Sequence, residues 1–419
     1  VTPVAAPGLS AELWGQIARG TPGVGTLRLL RTARATRDLL LLRALHQHAR
    51  GTAAWDPAIA LLTAVRRHAP AVFDALLADP VTGTVLASAA RGLPGAPGAE
   101  EEGAVPGARR DALPREPGGA VAVLAVVAAH RAGLPFRLRV PVCDGTLVLP
   151  GLGHAVLGPD TDTACVERGP YGTTVSAPGA RTGVRVPERT EEAAPGWEPL
   201  PLLRLTAHGA RLILRLDTHG ASGSTVGPAE TAPWRHRLDA AWERLVSHHP
   251  DRAGTVRGTV RSVVPLTPGP TEPHAGPPWL SASFSDAFGL VALAPLDDPA
   301  ELAAALVHET QHSLIYALQD LTRLLDTPPG TLATAPWSGR PRPPSALLQG
   351  AAAFLVTAAF WRTEAALGDP AARARHERWR DTARRAGHEL VRHDWLTPSG
   401  HLLLDAMRDV LAGWEETRH

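Results

Sequence analysis

The sequence predicts an α+β protein, mostly helical, with a small antiparallel β-rich insert in the middle and a metal-binding helix in the C-terminal half. Three observations carry that expectation. Leucine and alanine recur at helical spacing through both ends of the chain. Apolar–polar alternation of the strand type appears only in the middle, from about residue 136 to 216. The pentapeptide His308-Glu309-Thr310-Gln311-His312 falls inside one of the C-terminal helical stretches.

Taken in order, residues 1–90 read as an N-terminal helical region, with Leu27, Leu29, Leu30, Leu39, Leu40, Leu41, Leu42 and Leu45 spaced for buried faces. Residues 91–118 are rich in Gly, Pro, Glu and Arg and predict an exposed linker or long loop. Residues 119–232 form a mixed central region. It opens with a buried helix, Ala120 to Arg131, that ends near Gly133. Phe136-Arg-Leu-Arg-Val-Pro141 and Thr146-Leu-Val-Leu149 then read as strands joined by an Asp144-Gly145 hairpin turn. A second hairpin is expected around His208-Gly209, between Leu202–Leu205 and Ala210–Leu216. Residues 158–200 carry turn formers and little periodicity.

Residues 233–419 predict a helical metal-binding region. A helix from Trp234 to His249 is followed by a Pro-rich connection and a short strand at Leu290–Ala294. Asp297-Asp298-Pro299 then supplies an N-cap and a first-turn proline for a helix reaching about Leu325. A Pro-rich loop over 327–345 leads to helices at 345–368, 370–393 and 398–417.

Composition narrows the function classes. The net charge of +1 gives no field that would draw nucleic acid or an anionic membrane. Every basic residue is arginine, the pattern of a GC-rich coding bias, so a lone arginine carries little weight. Cys143 and Cys165 are the only cysteines, which excludes a disulfide framework or a cysteine-based zinc site. Val1–Ser10 lacks the charged and apolar segments of a secretory signal, and the apolar stretch Ala120–Ala129 is too short for a bilayer. The expectation is a soluble, cytoplasmic protein with no nucleic-acid or membrane partner.

Residues four apart on a helix share a face, so His308 and His312 can offer both imidazoles to one ion. Glu309 leans over the same face, where it could orient a metal-bound water. The alternative is a solvated helix stripe. His388 and His393 are five apart and diverge around a helix, and His46 and His48 point apart. His248-His249 before Pro250 reads as a helix terminus. A third ligand stays open. An Asp or Glu further on, such as Glu364, would make a zinc-peptidase site, and a neutral donor would suit another metal.

Beyond these local readings, the whole chain resembles the bacterial HEXXH-motif proteins encoded beside radical-SAM enzymes in peptide natural-product clusters. The similarity runs through Asp79-Pro-Val-Thr-Gly83, Ala132-Gly-Leu-Pro-Phe136, Val140-Pro-Val-Cys-Asp-Gly145, Ser283-Phe-Ser-Asp-Ala-Phe-Gly289 and Leu306-Val-His-Glu-Thr-Gln-His-Ser313. Its strongest block is Ala335-Pro-Trp-Ser-Gly-Arg-Pro-Arg-Pro343 leading to Leu347-Leu-Gln-Gly350. The resemblance implies an iron(II)- and 2-oxoglutarate-dependent oxygenase that hydroxylates the β-carbon of a residue in a ribosomal precursor peptide, after modification by a radical-SAM maturase. It implies His308 and His312 as metal ligands and Arg342, with Arg340 as the alternative, as the clamp on a 2-oxoglutarate carboxylate. The Leu-Leu-X-Gly step carries a third ligand, His, in that family, and here X is Gln349. A Gln carbonyl is a weaker, neutral donor. It could leave a position open, alter the outcome or mark a protein that has lost activity and serves as a peptide-binding scaffold. The Thr218-His-Gly-Ala-Ser222 segment also departs from the Pro- and Arg-containing stretch expected there. A zinc peptidase or amidohydrolase, with Glu309 as general base, is the alternative that the pentapeptide alone supports.

Overall fold

The computed structural model describes residues 9–93, 113–189, 191–217, 228–266 and 281–416. The N-terminal part forms α1 (Ala11–Arg19), α2 (Val24–Ala49), α3 (Trp55–His68), α4 (Pro70–Leu77), α5 (Pro80–Arg91) and α6 (Pro117–Ala132). The middle carries β1 (Phe136–Pro141), β2 (Thr146–Leu149), β3 (Gly153–Val156), β4 (Thr163–Gly169), β5 (Gly172–Ser176), β6 (Val184–Val186), β7 (Trp197–Pro199), β8 (Leu202–Ala207) and β9 (Ala210–Leu216). Then come α7 (Pro228–His248), α8 (Pro250–Thr259), β10 (Ser262–Pro265), β11 (Ser281–Ser283) and β12 (Leu290–Leu293). The C-terminal part is α9 (Pro299–Gln319), the two-residue strands β13 (Ala333–Thr334) and β14 (Pro341–Arg342), α10 (Pro344–Ala366), α11 (Pro370–Arg392) and α12 (Pro398–Glu416). The chain is thus mostly helical with small sheets in the middle, as expected.

Several helices start by one device. Asp79, Glu116, Asp298 and Asp369 each stand before a proline, and each carboxylate accepts backbone N–H groups of the first turn. α6 ends where Gly133 adopts φ 67°, a left-handed cap that costs glycine nothing.

The β-rich middle differs from expectation in two ways. Asp144 and Gly145 do make a tight turn, with φ 48° and 68° and a single bridge between Cys143 and Thr146. β1 and β2 nevertheless part after that bridge. β1 pairs with β4, in a sheet of order β1-β4-β5-β6, and β2 pairs with β3, in a sheet of order β2-β3-β7. Their faces explain the split. β1 buries Leu138 and Val140 and turns its arginines out, whereas β2 buries Leu147, Val148 and Leu149 in succession. Residues 158–200, read as turn formers with little periodicity, contain β4 to β7. These strands are short and built from Thr, Ser, Gly and Arg, so their alternation is faint. The exposed segment expected over 91–118 falls largely on residues 94–112, outside the described residues.

The third sheet has the order β11-β12-β10-β9-β8. β8 and β9 form the hairpin expected around His208 and Gly209. β9, β10 and β12 run parallel, so this sheet is mixed, and α7 and α8 form the crossover between β9 and β10. The chain leaves β12 directly into α9.

Two large hydrophobic clusters result. One gathers the far end of α2 with α3 to α6 and strands β1 to β7, while Leu29, Leu39 and Leu40 of α2, expected on buried faces, point outward and are exposed. The other gathers α1, β8 to β10, β12 and the helices from α7 onward, with α9 and α10 at its centre. α10 is long and apolar enough to cross a membrane by length and composition, more so than the Ala120–Ala129 stretch. Its apolar window is 83% buried, and it packs between α9 and α11 as a core helix.

Candidate metal centre

α9 is buried along nearly its whole length, and the less buried positions after His308 are His312, Tyr316, Gln319 and the capping residue Asp320 just beyond it. These fall at spacings of four, three and one, so they form one stripe along the helix. The HEXXH residues therefore lie where that stripe meets the core: His308 and Glu309 are buried and His312 is half-buried.

α10 crosses behind the two histidines, and two polar residues on its apolar surface hold them. The Thr357 hydroxyl donates to Ala353 O at 2.8 Å, so toward His308 Nδ1, 3.1 Å away, it can only accept. His308 then carries its proton on Nδ1 and leaves Nε2 with a lone pair. Gln349 does the same for His312: its Oε1 lies 2.9 Å from His312 Nδ1, while its amide nitrogen faces Gln319 Oε1 at 3.4 Å. With both Nδ1 atoms donating, the two Nε2 atoms face each other 3.1 Å apart, acceptor against acceptor. Two lone pairs at that distance repel unless a cation lies between them. A metal ion about 2.0–2.1 Å from each nitrogen fits the separation. Burial, with the second imidazole beside it, pushes the pKa of His308 well below its usual value, which favours the neutral ring that can ligate.

Glu309 completes the group. Its carboxylate and the two imidazoles have ligand atoms within 4.8 Å of one another. β11 supplies its partner: Ser281 Oγ donates to Oε1 at 2.6 Å. Oε2 is buried and accepts no hydrogen bond among the described residues, an orphaned acceptor whose chemistry suits a cation or a proton. Burial raises the Glu309 pKa, opposed by His312 and the hydroxyls of Ser281 and Ser283.

The remaining expected site residues fall as follows. Gln349 meets His312 at Nδ1, on the side away from the paired Nε2 atoms, so in this geometry it orients the imidazole; ligating the ion would require it to leave that bond. Glu364 lies two turns beyond Thr357 on α10 and is committed elsewhere. His249 Nε2 is 2.7 Å from its Oε1, and Arg244 Nε is 3.0 Å from its Oε2. In this geometry Glu364 stands outside the His308–Glu309–His312 group. His249 sits at a helix terminus as expected, between α7 and α8, and is buried against Phe360, where burial lowers its pKa.

Arg340 and Arg342 are exposed on the β13–β14 hairpin, and neither has an ion-pair partner among the described residues. Trp337, in the same hairpin, packs on Phe354 with ring centroids 5.3 Å apart, and Phe354 lies 5.1 Å from the His308 ring. The Trp337 ring sits over Gly350, where an added Cβ would come within 2.6 Å of it. This contact ties the Pro-Trp block to the Leu-Leu-Gln-Gly step in space.

No family model matches the chain. No curated protein matches it either.

Sequence reading did not find Thr357 or Ser281. Thr357 had a readable signal: with Gln349 it places two polar residues eight apart, on one face of an otherwise apolar helix. Ser281 had none, because it reaches Glu309 from a three-residue edge strand.

Proposed function

We propose that the chain is an iron(II)- and 2-oxoglutarate-dependent oxygenase acting on a ribosomally made precursor peptide, with His308 and His312 as the metal ligands. The observation that carries the metal assignment is the pair of Nε2 lone pairs 3.1 Å apart, each fixed by a partner on its own Nδ1. The choice of oxygenase rests on the full-length resemblance to the HEXXH proteins of peptide natural-product clusters. The commitment of Glu364 to Arg244 and His249 fits that choice, because few protein donors leave coordination positions for a bidentate 2-oxoacid and dioxygen.

When bound, iron(II) would supply oxidation of a substrate C–H bond by dioxygen, coupled to decarboxylation of 2-oxoglutarate to succinate. The chain's own residues do the rest. Thr357 and Gln349 fix the tautomer and aim of the imidazoles. Ser281 holds Glu309 against the pair. Phe354 packs beside His308, with Trp337 against Phe354 in turn, and limits water there. Arg342, with Arg340 as the alternative, is proposed to clamp the far carboxylate of 2-oxoglutarate. The proposed setting is cytoplasmic, beside a radical-SAM maturase.

The test is reaction of iron-loaded protein with 2-oxoglutarate, dioxygen and a precursor peptide. Succinate released with a peptide that has gained one oxygen supports the reading, and peptide turnover without 2-oxoglutarate contradicts it. Arg342→Ala should raise the KM for 2-oxoglutarate with less effect on kcat. Glu309 also favours a second reading, zinc-dependent peptide or amide hydrolysis. A buried carboxylate with a raised pKa beside two imidazoles suits a general base. Zinc-dependent cleavage abolished by Glu309→Gln would establish it.

A further inference from the structure

A groove of about 590 Å³ runs between β13 and the last turns of α11. One wall is α11, where Arg385, His388 and Arg392 recur at spacings of three and four and so share a face. Glu389 is the single acidic residue lining it, 3.8 Å from Arg392 and 3.5 Å from His393. Arg385 has no carboxylate partner among the described residues. Two arginines and two histidines thus line the groove against one carboxylate. In a chain of net charge +1, this concentration of cations is local.

The other wall offers backbone. Ala335 N–H donates to Arg340 O at 2.9 Å, which sets the register: Ala333 also faces Arg342, and Thr334 lies opposite Pro341. In an antiparallel pair the residues alternate between bonding the partner strand and facing away. Pro341 has no N–H, and Thr334 occupies the facing-away position. Its N–H and C=O are therefore turned to the free edge of β13, and Thr334 itself is exposed. Leu332, 61% exposed, adds an apolar anchor at the end of that edge.

We infer that this groove docks an extended, acidic segment of a peptide, which adds as a strand to β13 while its carboxylates meet Arg385 and Arg392. Strand addition supplies affinity through backbone bonds, and the flanking cations supply selection for acidic side chains. The site deepens the peptide-modification reading, because β13 leads through Pro336 into Trp337, which packs beside the Phe354–His308 pair. A peptide held on β13 would thus be delivered along the hairpin toward the metal centre. Binding itself needs no metal.

The experiment is fluorescence anisotropy with a labelled twelve-residue peptide alternating Glu and Val, beside the same peptide with Gln for Glu, on the full chain without added metal. Saturable binding of the Glu peptide, weaker by about tenfold for the Gln peptide and weakened by salt, is expected. Arg385→Glu with Arg392→Glu should lower the affinity by about tenfold or more. Thr334→Pro should weaken it several-fold, because it removes an N–H that the free protein does not use in the hairpin. His308→Ala should bind the Glu peptide unchanged, which separates this proposal from the metal assignment. Equal binding of the Glu and Gln peptides, no binding of the Glu peptide at millimolar protein, or unchanged affinity in the double arginine variant would each overturn it.

Discussion

At the scale of single residues, the site depends on what stands behind each histidine. Removing Gln349 or Thr357 should leave the fold intact but free an imidazole to turn. Gln349→Ala and Thr357→Val are each expected to lower metal affinity about 10- to 100-fold, read by competition with a chromophoric chelator. Circular dichroism should show native helix content in both. The sequence made His308, Glu309 and His312 legible because helical spacing alone brings them together. Gln349 was legible as a position but not as a contact, because only the crossing of α9 and α10 decides which nitrogen of His312 it meets. Glu364 shows the limit most clearly: a glutamate downstream of the motif reads as a ligand until the fold gives it two other partners. With Arg244 and His249 around it, its pKa falls to about 2, from an ordinary value of 4.5. A depressed carboxylate stabilises the fold above its unfolded pKa, and that contribution fades as the pH drops from about 4.5 to 2. Acid unfolding followed by tryptophan fluorescence should therefore steepen across that window. Glu364→Gln should be less stable at neutral pH and flatter across the same window.

At the scale of elements, the helices were readable and most of the sheet was not. α6, α9 and α10 announce themselves by an acidic cap before proline or by a long apolar run, and their observed bounds follow those signals closely. α9 stops at Gln319, about six residues before the expected end, where the chain turns into the 320s loop. The strands between 163 and 199 escaped because their order is supplied by pairing partners distant in sequence, as in the match of β1 with β4. Glycine gives an element-scale test. A Cβ at Gly350 would press within 2.6 Å of the Trp337 ring, so Gly350→Ala should push the β13–β14 hairpin off α10. The expected cost is about 1–3 kcal/mol in chemical denaturation, with a shift in tryptophan emission from Trp337. Gly254→Ala, with open space around its Cβ, is the matched control and should not destabilise.

At the scale of the molecule, the two hydrophobic clusters are joined by charge as well as by α2. Asp79, which caps α5 in the first cluster, accepts two bonds from Arg215 on β9 in the second, at 2.6 and 2.9 Å, with Arg131 at 3.8 Å. Burial opposes the Asp79 charge, yet the two arginines hold its pKa below the ordinary value. Arg215→Ala strands a buried carboxylate and should cost about 3–5 kcal/mol, more than Arg131→Ala. Asp79→Asn combined with Arg215→Ala should recover part of that loss, a coupling visible in a double-mutant cycle of urea midpoints. The N-terminal helix is also tied to the metal helix: Gln311 donates to Ile17 O at 2.8 Å, and Gly20 abuts Val356 of α10. None of these long-range ties was legible in the sequence, since each joins residues on elements far apart along the chain.

The most direct test of the central claim is metal analysis of anaerobically purified chain loaded with iron(II), beside His308→Ala treated identically. The expected result is one ion per chain, lost in the variant, with a visible charge-transfer band that appears only when 2-oxoglutarate is added. Iron at background in both proteins, or equal iron in both, would contradict the assignment of the metal centre to the paired imidazoles of α9.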